Sequence, residues 1–445
     1  MSKKLFLVFA ALLFLSSLNA ELDWNITGSG ARAAGMGNAF IGIADDATAI
    51  NWNPGGLTAL EHFEASIVGG WVADMEEYSF EDNVGSDISD DFFYDHVNVN
   101  FLSMAYPMTV SDKKLVLAAA FQKQLDFFSE DEQEDEVNLY TYNYDSDGGV
   151  YTMNLGASYQ VLPYLSVGAT GNIWLGESES NMEKTWDAYS QTSTSQNKNF
   201  SGFNLSLGTI FDMSAIKENV PLKIGLVLKT PFDLDYDYEY EFSDTDGYSY
   251  AESFSGSVEM PLMFGLGASY RFGENFTVGV DFERRNYAKS KFKGEYDDGT
   301  TYEEYMSPTE DDVTQFRLGM EYLIITDAVV VPVRFGIYNY PTLWANEDNQ
   351  LYYDGDDTYG NPIYISDEDA SDLEQLVGTG LSLGSGVIFE KFSLDFSFNV
   401  YSYENTYKNY FVDGPWGGYE SEESWTNTKA TMNMSAVIYL DTFIK

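Results

Sequence analysis

The sequence predicts an all-β fold: a transmembrane antiparallel β-barrel of about 14 strands, with an N-terminal segment plugging its lumen. Three observations predict it. Apolar residues recur at every second position over long stretches, short and long connections alternate along the chain, and aromatic residues gather where strands run into the long connections.

The first element is not part of the fold. Lys3 and Lys4 precede the apolar run Leu5 to Leu15, which leads through Ser16 and Ser17 to Asn19 and Ala20, the pattern of a secretory signal peptide. The run is too short for a membrane-spanning helix, which needs roughly 20 apolar residues. Cleavage is expected after Ala20, and no Cys follows to carry a bacterial lipid anchor. The expected organisation is a signal peptide at 1–20, a plug at 21–62 and a barrel at 63–445 with long acidic extracellular loops.

The plug segment, Gly28 to Leu57, is rich in Gly and Ala and poor in charge, which permits close backbone packing in a confined space. Gly28-x-Gly30-x-x-Ala33 matches a dinucleotide fingerprint formally. It lacks the preceding strand and the βαβ context that give that pattern meaning. Asn53-Pro54 reads as a turn or a helix start.

Period two then takes over. Tyr151, Met153, Leu155, Ala157, Tyr159 and Val161 alternate with Thr152, Asn154, Gly156, Ser158 and Gln160. The same comb appears at Phe276 to Glu283, Gln315 to Tyr322 and Phe392 to Asn399. Runs of this kind number fourteen: 63–71, 96–108, 114–128, 150–162, 165–180, 199–213, 222–238, 258–272, 276–289, 314–326, 329–342, 377–389, 392–407 and 429–440. Short turns such as Pro163–Tyr164 and Asp327–Ala328 alternate with long connections such as 72–95, 129–149, 181–198 and 343–376. An even number of strands with short turns at one end and long loops at the other is the plan of an outer-membrane barrel, with both termini periplasmic.

A soluble β-sandwich also alternates and also follows a signal peptide. It has no need of Tyr and Phe clustered at strand ends, as at Phe127 and Phe128, Tyr236 to Tyr240, Tyr338 and Tyr340, and Tyr401, Tyr403 and Tyr407. Such clusters predict an interfacial aromatic girdle. Acids concentrate in the long connections, with eight in 129–149 and ten in 343–376 and no Lys or Arg in either. Asp145-x-Asp147-Gly148, Asp244-x-Asp246-Gly247 and Asp354-x-Asp356 offer oxygen ligands, but none completes a calcium loop, so no metal and no other cofactor is expected.

Composition excludes several function classes. With no Cys and two His in 445 residues there is no thiol nucleophile, no Cys-based zinc site and no three-His centre. A formal charge of −48 opposes binding to a phosphate backbone, so nucleic acid is not an expected partner. His62 and His96 sit in no nucleophile motif, and an enzyme is not expected.

The run Gly30-Ala-Arg-Ala-Ala-Gly-Met-Gly-Asn-Ala-Phe40, then Ala44-Asp-Asp-Ala47, then Trp52-Asn-Pro-Gly-Gly-Leu57 resembles the N-terminal hatch of FadL-type outer-membrane transporters, the family that includes aromatic-hydrocarbon channels of the TodX kind. The motif covers about thirty residues and precedes the strand number of that family's barrel. The resemblance implies a barrel in the bacterial outer membrane, passive uptake of long-chain fatty acids or other hydrophobic molecules, and release past the hatch or sideways through the wall. Its hatch residues here are Gly35, Met36, Gly37, Phe40, Ile41, Trp52, Asn53 and Pro54, of which Phe40, Ile41 and Trp52 are expected to face a ligand or the wall. Arg317, Lys223 and Arg334 are the candidates to hold a carboxylate head group. Expected partners are a hydrophobic small molecule such as a fatty acid, and outer-membrane lipid and lipopolysaccharide. PorV-like barrels resemble the same hatch motif and bind proteins during secretion or surface attachment, which keeps a protein partner as the alternative. The chain departs from the family at Gly55, where Ala is usual, and ends on Phe443-Ile444-Lys445 without a terminal aromatic residue.

Overall fold

The computed structural model describes residues 24, 26–135, 140–186, 189–296, 299–356, 362–366, 372–411 and 419–442. The expected signal peptide and the chain end at 443–445 lie outside the described residues.

Fourteen strands close into one antiparallel wall. They are β1 (Glu64–Asp82), β2 (Asp87–Val110), β3 (Lys113–Asp126), β4 (Tyr140–Leu162), β5 (Leu165–Trp186) and β6 (Tyr189–Asp212). Next come β7 (Leu222–Lys229 continued by Phe232–Asp244), β8 (Ser249–Met260 continued by Met263–Phe272) and β9 (Phe276–Arg285 continued by Lys291–Tyr296). The circuit ends with β10 (Val313–Ile325), β11 (Val330–Asp356), β12 (Asp372–Ile388), β13 (Phe392–Phe411) and β14 (Tyr419–Tyr439). β1 pairs with β14 from Glu64↔Tyr439 to Asp82↔Ser421, which closes the barrel and leaves no sheet edge there. The breaks in β7 and β8 fall at Pro231 and Pro261, where the ladder loses a donor.

The combs decide which side faces water. Their apolar rows point outward, with Leu155 63% and Val97 79% exposed, while the polar rows point inward, with Asn154 at 1% and Arg334 at 2%. A soluble sandwich has the opposite arrangement. An apolar exterior around a polar interior is the signature of a membrane-spanning barrel.

Two expectations are corrected. Much of the long connections is strand: β1 and β2 stay paired from Glu64↔Ala105 to Glu81↔Asp87, far past the apolar belt. Alternation of acids with aromatics sustains pairing there, because each row still has its own solvent or packing face. The expected girdle at Phe127, Tyr236, Tyr238, Tyr338 and Tyr340 is instead buried. In 232–242 the acids take the outer row, so the aromatics turn inward and fill the upper lumen.

Candidate functional site

The plug comprises α1 (Ala31–Gly35), α2 (Ala49–Trp52) and a 3₁₀ turn (Pro54–Ala59). Asn53 starts the turn by accepting from the Gly55 N–H (3.1 Å) and donates to the carbonyls of Ile41 and Thr209 (both 3.0 Å), tying plug to wall. The plug backbone lies directly against a collar of inward-facing wall glycines. A Cβ on Gly168 would collide with Pro54, on Gly208 with Asn53, on Gly225 with the Ile41 carbonyl, on Gly267 with Gly42, on Gly319 with Met36 and on Gly336 with Gly37. Gly384 meets Gly35 in the same way. These glycines were visible as small members of the combs; their common level around the barrel was not.

Phe40 and Trp52 face each other, and Ile41 faces the wall. Phe40 and Trp52 pack edge to face at 6.2 Å, and Ile41 packs with Val227 and Met263. Asp281 accepts from the backbone N–H groups of Phe40 (2.6 Å) and Ile41 (2.7 Å). Arg32 donates to Asp45 (2.6 Å) and, with both Nε and Nη2, to Glu321 (3.1 Å each). Arg334 donates to the same Glu321 (2.7 Å) and to Asp395 (2.7 Å). Such a network is strong because each buried charge has its complement.

That network engages two of the head-group candidates. Arg334 is matched by Glu321 and Asp395, and Arg317 by Glu283 (3.0 Å) and Gln315. Lys223 lies opposite Ser269, whose hydroxyl donates to the Gly42 carbonyl, so it sits at plug level. The cation that reasoning from sequence missed is Lys229, six residues farther along β7 and making no ion pair among the described residues. It lines a small chamber above the plug together with the polar Arg285, Gln122, Gln124, Asn172 and Asn204 and the apolar Trp174, Phe232, Met260 and Met263. The free space in the chamber is about 50 Å³, room for a water or two. Lys229 shares the inward row of an outwardly apolar strand with Lys223, and that parity was the available signal.

Beside the chamber the wall itself is incomplete. β2 and β3 are paired only from Phe101↔Gln122 down to Val110↔Lys113. Above that level β2 follows β1 and β3 follows β4. Each strand carries a bulge at the parting, at Asn100 on β2 and Gln124 on β3, so the two bend away from each other. The seam is held by side chains: Asn98 donates to Asp126 (3.0 Å), His96 Nε2 lies 2.9 Å from the same carboxylate, and Lys123 reaches its other oxygen. His96 also stacks on Phe128 at 4.2 Å. Asn98 Oδ1, Asn100 Oδ1, Gln124 Oε1 and His96 Nδ1 are buried there without a partner among the described residues. On the membrane side an apolar groove of about 770 Å³ runs across β1 and β12 to β14, past Ile67, Met434 and Phe396, and reaches the β2 edge of the seam at Val97, Asn98 and Val99.

The upper lumen is sealed by buried aromatics including Trp24, Trp174, Phe200, Tyr236, Tyr238, Phe254 and Phe292. Trp24, the first described residue, therefore lies high in the lumen, above the plug. Above the seal opens a vestibule of about 1060 Å³, lined by Glu76, Asp91, Asp95, Glu130, Asp131, Glu132 and Asp145 among aromatics such as Tyr142, Tyr144, Tyr240 and Trp425. Burial, then the neighbouring Asp131, pushes the Tyr142 hydroxyl up to about 12. His62 is exposed, 3.0 Å from Asp441. Neither it nor His96 has a Ser among its hydrogen-bond partners described here.

The family described as BamG matches residues 29–323. No curated protein matches the sequence. Among solved structures, a Pseudomonas aeruginosa FadL homologue aligns at 12% identity with a TM-score of 0.62, covering 94% of this chain and 99% of that one. The P. putida toluene transporter TodX aligns at 12% identity and 0.54, covering 92% and 98%. The Ralstonia pickettii toluene transporter TbuX aligns at 13% and 0.54, covering 94% and 99%. At these identities the likeness shows the fold, that of a FadL-type outer-membrane barrel.

Proposed function

The chain belongs to the BamG family, and from its FadL-type barrel and its structural neighbours we propose that it conducts hydrophobic molecules passively through the bacterial outer membrane. The route runs from the vestibule, through the aromatic seal to the Lys229 chamber, and sideways through the β2–β3 seam into the bilayer. The seam carries the reading. A wall that loses its ladder between two facing bulges, beside a lumen chamber on one side and an apolar membrane groove on the other, supports lateral release. The collar and ion network make plug displacement the more costly exit, since breaking a buried ion pair costs roughly 3–5 kcal/mol. The structural neighbours TodX and TbuX are toluene transporters, which supports an apolar cargo. Fatty acids fit as well, with Lys229 for the carboxylate.

The test is uptake of radiolabelled palmitate and toluene by cells producing the protein against cells lacking it. Because the chain has no Cys, cysteines placed at Asn98 and Asp126 can be bridged cleanly by a short bifunctional reagent. Bridging should abolish uptake reversibly; unchanged uptake in a bridged, folded barrel would sink the lateral route.

A second reading, protein binding at the cell surface, is favoured by one observation: the extracellular hairpins are paired sheets around an acidic, aromatic vestibule, a preformed surface. Crosslinking in intact cells distinguishes it, since a specific protein partner with no solute uptake would support this reading over the first.

A further inference from the structure

The vestibule above the aromatic seal combines two kinds of wall. Seven carboxylates and eight aromatic rings line it, and no Lys or Arg is among its described lining residues. Some of the rings are set in place by one another: Trp425 packs on Tyr78 at 4.6 Å and stacks on Phe92 at 6.1 Å. Phe93, next along β2, stays 61% exposed. Acids alone are what a solvated rim needs. Large rings left open to water in the same concave surface mark a place where something apolar is received.

An ammonium is already seated on rings at this mouth. Tyr144 and Met182 face each other across β4 and β5 and both line the vestibule, and the next pair on the same face is Tyr142 and Lys184. Lys184 Nζ stands 3.7 Å from the centre of the Tyr140 ring and 5.3 Å from that of Trp186. A ring face attracts a cation through its quadrupole, and the protein uses that attraction here for its own side chain.

We propose that the vestibule is a binding site for an apolar organic cation, an amine or quaternary ammonium carried on an aryl or alkyl body. The body displaces water from Phe93 and Trp425, the charged head lies over ring faces, and the carboxylates supply the field that gathers it. A small divalent ion gains little from the rings, because it gives up its water shell reluctantly and prefers oxygen ligands. The volume of about 1060 Å³ takes head and body together. Below the seal the sign of the charge reverses, since the chamber is lined by Lys229 and Arg285. A cation is therefore retained above the seal, in a site separate from the route proposed for neutral solutes.

The experiment is equilibrium binding of benzyltrimethylammonium to the protein in zwitterionic lipid nanodiscs, with empty nanodiscs subtracted. It compares wild type with Phe93→Tyr, the pair Phe93→Leu and Tyr144→Leu, and the pair Asp91→Asn and Asp145→Asn. Folding is checked by heat-modifiable gel mobility. Each pair should weaken binding about tenfold, and Phe93→Tyr should bind as wild type. Unchanged affinity in the folded Leu pair overturns the proposal, because it reduces the vestibule to a diffuse counterion surface. Absence of binding to wild type overturns it too, and does so even where toluene uptake in cells is intact, which leaves the transport reading standing. Binding that follows the expected pattern while saturating cation leaves toluene uptake unchanged supports the site and removes the vestibule from the transport route.

Discussion

Gly336 in the barrel wall faces Gly37 of the plug with no side chain between them. Gly37 has a φ of 63°, a conformation that favours glycine, so the contact is fixed from both sides. Replacing Gly336 by Val puts a branched side chain where the plug backbone runs. We expect an overpacking cost of about 1–3 kcal/mol, borne by the plug and not by the wall, whose pairing from Arg317↔Tyr338 to Ile325↔Val330 needs no glycine. Limited proteolysis should cut within 31–57 in a barrel that still shows its folded mobility.

Glu321→Gln removes the charge that Arg32 and Arg334 share. Asp45 and Asp395 remain to hold the two guanidinium groups. The cost should therefore sit at the low end for a broken buried ion pair, roughly 3 kcal/mol. Hydrogen exchange at residues 31–57 should speed up, while exchange in β5 and β6 stays slow.

Asp126→Ala unpins the seam, because Asn98, His96 and Lys123 all converge on that carboxylate. A hydrogen bond to a charged group is worth about 1.5–3 kcal/mol, so uptake of an apolar solute should rise by roughly tenfold or more if seam opening limits it. A drop in uptake by a folded Asp126→Ala barrel would count against the seam as exit.

Lys229→Met keeps the length and loses the charge. Binding of 2-naphthoate should weaken about tenfold, while binding of naphthalene should not change. Equal losses for both solutes would assign Lys229 to packing.

The barrel was legible in the sequence because membrane strands carry an uncompromised alternation, and all fourteen runs correspond to strands of the wall. Their extracellular extensions were hidden by composition: residues 232–242 read as strand passing into water, yet 72–81 and 87–95 read as loop because acids dominate. Which row of an alternation faces inward could not be decided above the membrane, and the girdle was misplaced for that reason. The plug was legible as a motif of small residues. Its anchors were not, since Asp281 and Glu321 come from strands distant in sequence and become partners of the plug only on closure. Of the seam only a slip in the alternation of the run 96–108, around Ser103, was visible as the sign of a bulge, because lost pairing has no composition of its own.

The Ala31 N–H donates to the hydroxyl of Ser435 at 2.7 Å, joining residues 404 positions apart. That contact has a consequence for the order of folding. The first structured part of the chain to emerge can find its seat only when the last strand has been laid down, and such non-local contacts make folding slow. Seating is thus a report on completion: a chain stopped before β14 would keep its leading segment loose and open to proteases, and would be sorted from finished barrels by that alone.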